Sequence, residues 1–261
     1  MKLIDCSCSV GLSCINHNIV NHENFMLTEK VVEAATGGEL LRYMDWCGVS
    51  QALVGHEAMR DSSPEIGNSM VIEEVRCSPE RLLPTWAILP PLSDAAFAPE
   101  RFLPEMEKNG VRVLRAYPQI NRYFLDRFSM GELLDELESH RIPLILSPEF
   151  GYEYIYTVAR EFASLPIIVN NYGPWSHLRF WYPLMRGCKN VYFEIGDLET
   201  DGAIEQIDSR FGCDNLLFGT EFPVNNMGGA IATLVSAGIS EDAREAIAHG
   251  NIERLLSEVR L

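Results

Sequence analysis

The feature that most constrains the fold is a recurrence, in which short apolar runs alternate along the chain with helix-like segments. Eight runs are present, and most are continuously apolar, as is typical of parallel strands covered on both faces. The runs span residues 3–9, 51–56, 82–89, 110–117, 142–147, 165–171, 190–195 and 215–221. This alternation predicts repeated strand–helix units.

The segments between the runs have helical spacing. In GGELLRYMDWCG (37–48), one face carries Leu40, Leu41, Met44 and either Cys47 or Trp46. The segment 129–140 begins with Ser129, followed three residues later by Glu132, which predicts a capping-box start. Residues 239–259 are predicted as two helical pieces with a break near Gly250.

Eight strands alternating with helices over 261 residues predict a single (β/α)8 barrel that occupies residues 1–261, with C-terminal helices closing one end. A doubly wound open sheet is the alternative, but no Gly-rich dinucleotide loop follows the first run. In such barrels the active site lies at the carboxyl ends of the strands, so the polar residues at those ends are the candidates for function.

Composition narrows the classes of partner. The chain carries 21 Lys and Arg against 37 Asp and Glu, a formal net charge of −16, which argues against nucleic acid and anionic membranes as partners. The apolar runs are shorter than a membrane span or a signal peptide requires. Seven scattered cysteines with no C-x-x-C pair are typical of reduced thiols. We expect a cytoplasmic protein that acts on a small molecule.

The first run, LIDCSCSVG (3–11), carries both cysteines and serines. Simple alternation places Asp5, Ser7 and Ser9 on one face and Cys6 and Cys8 on the other. The sequence therefore predicts serines at the mouth of the barrel and cysteines packed under the helices. Binding of a soft metal by the two cysteines is the alternative, and it requires a rotated strand.

Five segments resemble one family when taken together in order and spacing. These segments are LIDCSCSVG, IPLILSPE, LPIIVNNYGPW, NLLFGTEFP and AHGNIERLL. They are similar to motifs of the amidohydrolase-related barrels of the metal-dependent hydrolase superfamily, whose branch includes decarboxylases of aromatic acids and a pyrone-dicarboxylate lactonase. The resemblance runs almost from end to end and implies a barrel enzyme.

The resemblance also implies a metal site that this chain has changed. Family members carry histidines and an aspartate where this sequence has Ser7, Ser9, Ser147, Asn171 and Glu221. Hydroxyl and amide groups bind zinc or manganese poorly, so no tightly bound transition metal and no other cofactor is expected. A weakly held hard cation on Glu149, Glu194 and Glu221 is the alternative.

Three residues at strand ends are the predicted catalytic set. Glu221 or His56 would act as a general base, and Arg115 would hold a substrate carboxylate or stabilise developing negative charge. Each has a structural alternative: Glu221 as a hydrogen-bonding residue, His56 as a structural histidine, and Arg115 in a salt bridge to Glu149 or Glu194. A serine-hydrolase triad would need a histidine beside Ser7, Ser9 or Ser147, and no G-x-S-x-G elbow is present.

A second set of residues is predicted to bind substrate. It consists of Ser7, Ser9, Tyr117, Ser147, Glu149, Asn171, Tyr172, His177 and Glu194. Tyr172, Trp175 and His177 belong to an aromatic segment after the sixth run, which is interpreted as a lid over a ring-containing ligand or as the interface of a homodimer.

The sequence thus favours a hydrolase for a lactone, amide or ester of a small carboxylated or ring substrate, acting without a tightly bound transition metal. The resemblance includes a lactonase that needs no metal. The alternatives are a pseudoenzyme that binds a ligand or partner, and a non-oxidative decarboxylase.

Overall fold

The computed structural model describes residues 1–12, 34–148, 151–173, 175 and 177–261. Eight parallel strands form one sheet in chain order, and each strand pairs with the next. The N–H groups of Cys6 and Ser9 donate to the carbonyls of Phe218 and Phe222, at 3.1 and 2.9 Å, and thereby join the first strand to the segment after the last. The sheet therefore closes into the predicted (β/α)8 barrel.

Each predicted run overlaps one strand, and the run 51–56 matches its strand at both ends. The other strands are shorter than or offset from the runs, because the polar ends of the runs continue as loops at the mouth. The strands are β1 (Ile4–Val10), β2 (Gln51–His56), β3 (Leu82–Ala87), β4 (Val113–Arg115), β5 (Leu144–Leu146), β6 (Ile167–Val169), β7 (Val191–Glu194) and β8 (Leu216–Leu217).

Helices surround the barrel. They are α1 (Gly37–Cys47), α2 (Ala58–Asp61), α3 (Pro64–Val75), α4 (Pro99–Lys108), α5 (Arg127–Ser139), α6 (Glu153–Glu161), α7 (Leu178–Gly187), α8 (Ala203–Phe211), α9 (Met227–Ser236), α10 (Glu241–Glu245) and α11 (Asn251–Glu258), with a π-helical turn at Ala246–Gly250 between the last two. In the part of the chain described here, no helix is both long enough and apolar enough to cross a membrane.

Apolar side chains fill two layers. The inner cluster takes residues from every strand, and Ile252 and Leu255 of α11 complete it. Because α11 contacts these inward-facing side chains, it closes the end of the barrel opposite the strand carboxyl ends. The inner strand residues are Ile4, Cys6, Leu53, Leu83, Val113, Ile145, Ile168, Tyr192 and Leu217. The larger outer cluster lies between strands and helices.

The predicted facing of the first strand is wrong for Cys6. Cys8 packs in the outer cluster, as predicted, but Cys6 points into the barrel with Ile4. The pairing of β1 with β2 shifts between Asp5 and Cys8, so alternation is interrupted there. A bulge of this kind changes which side chains share a face. As a result Ser7 and Ser9 reach the mouth, whereas Asp5 hydrogen-bonds to the segment after β8.

Two predictions about helix geometry were tested by the structure. Helix α5 begins at Arg127, not at Ser129, and its N-cap is Asp126, which accepts a hydrogen bond from the Ser129 N–H at 2.8 Å. In α1 the ambiguous position on the apolar face is taken by Cys47, because Trp46 is 80% exposed.

Candidate active site

A pocket opens at the carboxyl ends of the strands, where a barrel of this class has its active site. It encloses about 540 Å³, including the part open to solvent. The lining residues are Ser7, Ser9, His56, Glu57, Arg60, Arg115, Ala116, Tyr117, Ile145, Ser147, Asn170, Asn171, Glu221 and Val224. The three predicted catalytic residues therefore share one pocket.

Glu221 is held by the first strand. Its backbone N–H donates to Ser7 Oγ at 3.0 Å. Asp5 fixes the preceding residue, because its carboxylate accepts from the Thr220 N–H at 3.1 Å and from Thr220 Oγ1 at 2.6 Å. Glu221 has a φ of 53°, an uncommon conformation for a residue other than glycine. Such strain often marks a functional site, and here it aims the side chain into the pocket.

Glu194 lies behind this wall and is 1% exposed. Neither of its carboxyl oxygens has a hydrogen-bond partner among the described residues, and neither does Glu221 Oε1. The Ser7 hydroxyl approaches Glu194 and favours its ionised form without reaching hydrogen-bond geometry. Gly219 makes room for this side chain, because a Cβ there would lie 2.5 Å from Glu194 Cγ.

The two glutamates influence each other's ionisation. Burial raises the pKa of Glu194 well above its ordinary value, and the charge of Asp5 adds to this. Burial likewise raises the pKa of Glu221, and the charge of Glu194 adds to this, while Arg115 opposes it. Two buried carboxyl groups that repel each other do not both ionise readily, so the pair retains a proton at higher pH than a solvated carboxyl would.

His56 is a hydrogen-bond donor to the pocket. Its Nδ1 accepts from the Ala58 N–H at 3.0 Å, and burial lowers its pKa. The neutral ring therefore carries its hydrogen on Nε2. Gly11 is required beside it, because a Cβ at that position would lie 2.6 Å from Cε1 of the ring. Since its Nδ1 lone pair is used, His56 suits donation to an oxyanion better than the predicted role of general base.

Arg115 is 5% exposed and lines the pocket from β4. Its Nε donates to Thr85 Oγ1 at 2.8 Å, and its Nη2 donates to the Cys8 carbonyl at 3.2 Å. These bonds fix the plane of the guanidinium and leave further N–H donors for a ligand. In the described residues Arg115 forms no salt bridge to Glu194, whose carboxyl oxygens have no partner there, and Glu149 lies outside the described residues.

The pocket serines have different partners. Ser9 Oγ donates to Glu57 Oε1 at 2.5 Å, and Ser147 Oγ donates to the Asn171 carbonyl at 2.8 Å. Asn171 has a φ of 47°, and its backbone approaches Glu221 and favours the ionised form of that carboxyl. Asn171 thus contributes to the site through its main chain.

The hydrogen-bond partners of these serines help to decide whether the site fits the metal that the family resemblance implies. Three hydroxyls stand where imidazoles would be needed, and each is already engaged with a protein group. Among the residues that the structure describes, no three His, Cys, Asp or Glu side chains are grouped to hold a metal ion. The donors that the described residues offer at these serine positions therefore do not fit a tightly bound transition metal, since zinc and its neighbours require imidazole, thiolate or carboxylate ligands.

Three predicted substrate-binding residues do not line the pocket: Glu194, which lies behind its wall, Tyr172 and His177. Tyr172 is buried, and its hydroxyl donates to the Glu194 carbonyl at 2.7 Å. His177 packs against the rings of Tyr172 and Tyr152, with centroids 5.5 and 5.7 Å away. Trp175 is 83% exposed and does not plug the barrel mouth. Tyr172 and His177 thus pack against neighbouring rings outside the pocket, and the lid and interface roles of this segment stay predictions.

The sequence analysis missed two charged residues of the pocket, Glu57 and Arg60. Glu57 is 7% exposed and directly follows His56, the last residue of β2. Its position just beyond a strand end is the sequence feature that could have predicted a place in the pocket. Arg60 lies on the short helix α2, and its guanidinium carbon is 5.8 Å from the centre of the Tyr117 ring. Tyr117 lines the pocket as predicted.

The fold and the pocket define an amidohydrolase-like TIM barrel with its polar site at the strand carboxyl ends. The amidohydrolase family model matches residues 49–257, so the chain belongs to that family. A comparison with curated proteins finds no match.

Solved structures of the same fold cover almost the whole chain. An uncharacterised TIM-barrel protein from Bordetella bronchiseptica has a TM-score of 0.76 at 20% identity, covering 99% of each chain. The 5-carboxyvanillate decarboxylase of Sphingomonas paucimobilis has a TM-score of 0.70 at 15% identity, covering 99% of each chain. A probable 2-pyrone-4,6-dicarboxylic acid hydrolase from Acinetobacter baumannii, with citric acid bound, has a TM-score of 0.66 at 14% identity, covering 98% of this chain and 100% of that one. At these identities the likeness establishes the fold alone.

Proposed function

We propose that this protein is a hydrolase for a lactone, amide or ester of a small carboxylated or ring substrate, and that it acts without a tightly bound transition metal. One observation carries the proposal: Glu221, Arg115 and His56 line the same pocket with complementary chemistry. A carboxylate can accept a proton, a guanidinium can bind an anion, and a neutral imidazole can donate a hydrogen bond.

In this mechanism Glu221 accepts a proton from the attacking water. Its raised pKa makes it a stronger base than a solvated carboxylate once it is ionised. Arg115 binds a carboxylate of the substrate, and its hydrogen bonds to Thr85 and the Cys8 carbonyl hold it ready for that contact. The Nε2–H of His56 donates to the oxygen that gains negative charge at the reacting carbonyl.

The carboxylated nature of the substrate has support from the charges that surround the pocket. The protein as a whole is strongly acidic, yet Arg60 and Arg115 line this pocket beside the two carboxyl groups of Glu57 and Glu221, so two guanidinium groups are available there to an anion. A small anionic ligand would find favourable potential only where such cations are concentrated. A structural relative named as a pyrone-dicarboxylic acid hydrolase is described with citric acid bound, which agrees with a carboxylate ligand.

A panel of lactones, amides, esters and aromatic carboxylates, supplied to the wild-type protein and to Glu221→Gln, tests the proposal. We expect hydrolysis of at least one carboxylated member by the wild type, with a loss of about 100-fold or more in kcat for the variant. Release of CO2 without hydrolysis would instead establish a decarboxylase. Saturable ligand binding with no turnover would establish a pseudoenzyme, and either result would overturn the proposal.

A further inference from the structure

Ser9 and Glu57 form a pair that the general-base mechanism does not use. The Ser9 hydroxyl donates to Glu57 Oε1 at 2.5 Å. Both residues line the pocket, and Ser9 is the least buried residue of β1. The other two serines of the pocket differ, since Ser147 donates to a backbone carbonyl and Ser7 accepts a backbone N–H.

The surroundings of this pair are those of an activated nucleophile. A hydroxyl is a weak nucleophile until an adjacent base removes its proton. Glu57 is 7% exposed, and its backbone N–H donates to the Val10 carbonyl at 2.9 Å, which fixes the base to the strand that carries Ser9. His56, the preceding residue, offers its Nε2–H to the same pocket. Nucleophile, base and oxyanion donor therefore come from the ends of two adjacent strands.

We propose that Ser9 is a catalytic nucleophile and that Glu57 is its general base, so that hydrolysis passes through an acyl-enzyme. This inference rests on the proposed hydrolase function and names how that function is carried out. No histidine acts as the base, so the arrangement is a serine–carboxylate pair rather than a triad.

The two half-reactions balance as follows. In the first, Ser9 Oγ bonds to the substrate carbonyl carbon while its proton passes to Glu57. The bond to the leaving oxygen or nitrogen then breaks, and the leaving group takes that proton from Glu57. In the second, Glu221 takes a proton from water, whose oxygen bonds to the acyl carbon. The Oγ–acyl bond breaks, and the proton returns through the pocket to Ser9 Oγ.

A fluorophosphonate probe tests the nucleophile without knowledge of the substrate. Such a probe forms a phosphonyl ester with an activated serine and releases fluoride. Intact-mass measurement of the wild-type protein should give a single adduct, which peptide mapping places on Ser9. Ser9→Ala should give no adduct, and Glu57→Gln should be labelled about 100-fold more slowly because an amide cannot take the proton.

Ser209→Ala is the matched control, because Ser209 is exposed on α8 and donates to the Gln206 carbonyl. It should be labelled at the wild-type rate, and thermal unfolding of all variants should exclude misfolding. No adduct on the wild type, or equal labelling of Glu57→Gln, would overturn the inference. Hydrolysis of a substrate from the panel by Ser9→Ala at the wild-type kcat would also overturn it, while leaving the proposed hydrolase function intact.

Discussion

The electrostatic free-energy cost of burying polar groups at this site falls mainly on two side chains, Glu194 and Glu221. Both are buried, and three of their four carboxyl oxygens have no hydrogen-bond partner among the described residues. A buried polar atom without a partner destabilises a fold by about 1–3 kcal/mol. Buried carboxyl groups with raised pKa values are typical of functional sites.

Replacement of Glu194 by glutamine should change how stability depends on pH. Burial raises the pKa of Glu194, so between the ordinary value of 4.5 and the raised value the native state holds a proton that the unfolded state has lost. Stability therefore falls as pH rises through that interval. Glu194→Gln should remove this loss. At neutral pH its free energy of unfolding should exceed that of the wild type by about 1–3 kcal/mol, so the variant should unfold at a higher denaturant concentration.

Urea titrations at several pH values measure this difference. Glu107→Gln, on the exposed face of α4, is the control and should parallel the wild type throughout. A constant offset between Glu194→Gln and the wild type at every pH would show that Glu194 has no raised pKa.

Gly11 gives a second test at the residue scale. Its φ is 94°, and the His56 ring occupies the space that a Cβ would need. Gly11→Ala should displace the imidazole and lower kcat for the proposed hydrolysis about tenfold or more, since one oxyanion donor contributes about 10²–10³ in kcat. His56→Ala should lower kcat at least as much, and unchanged turnover in both variants would remove His56 from the mechanism.

At the scale of elements, turns and caps position the site more than the strands do. Asp5 and Ser7 hold the segment after β8, and Asp197 accepts from the Gly173 N–H at 3.0 Å and from Asn225 Nδ2 at 2.5 Å. These bonds link loops that follow β6, β7 and β8. This part of the mouth is therefore joined by hydrogen bonds, and its geometry depends on Asp5 and Asp197, carboxylates that do not line the pocket.

The start of helix α5 is a direct test at this scale. Asp126 caps the helix by accepting from the Ser129 N–H. Asp126→Ala should destabilise the protein by about 1 kcal/mol, whereas Ser129→Ala should change the free energy of unfolding by less than about 0.5 kcal/mol. Chemical denaturation distinguishes the two variants. A larger loss of stability in Ser129→Ala than in Asp126→Ala would show that Ser129, as predicted from the sequence, is the N-cap.

The elements also show what the sequence could predict. Continuous apolar runs identified all eight strands, because buried parallel strands need no polar alternation. The bulge in β1 was not predicted, because the residue types of LIDCSCSVG do not indicate where the alternation of inward and outward side chains is interrupted. Glu57 and the tautomer of His56 were missed for a similar reason, since both depend on hydrogen bonds made after the strand ends.

At the scale of the whole molecule, the barrel has its family's architecture. The family match covers residues 49–257, and the fold relatives include a decarboxylase and a probable hydrolase. Fold alone therefore leaves the reaction open. The engaged hydroxyls of Ser7, Ser9 and Ser147 separate this site from one built on imidazole ligands.

The metal content of the protein purified without chelators, measured together with its hydrolytic activity, tests the central claim most directly. We expect zinc and manganese well below one equivalent per chain, and the same kcat before and after treatment with a strong chelator. Stoichiometric zinc or manganese, with activity that is lost on chelation and restored by the metal, would contradict it.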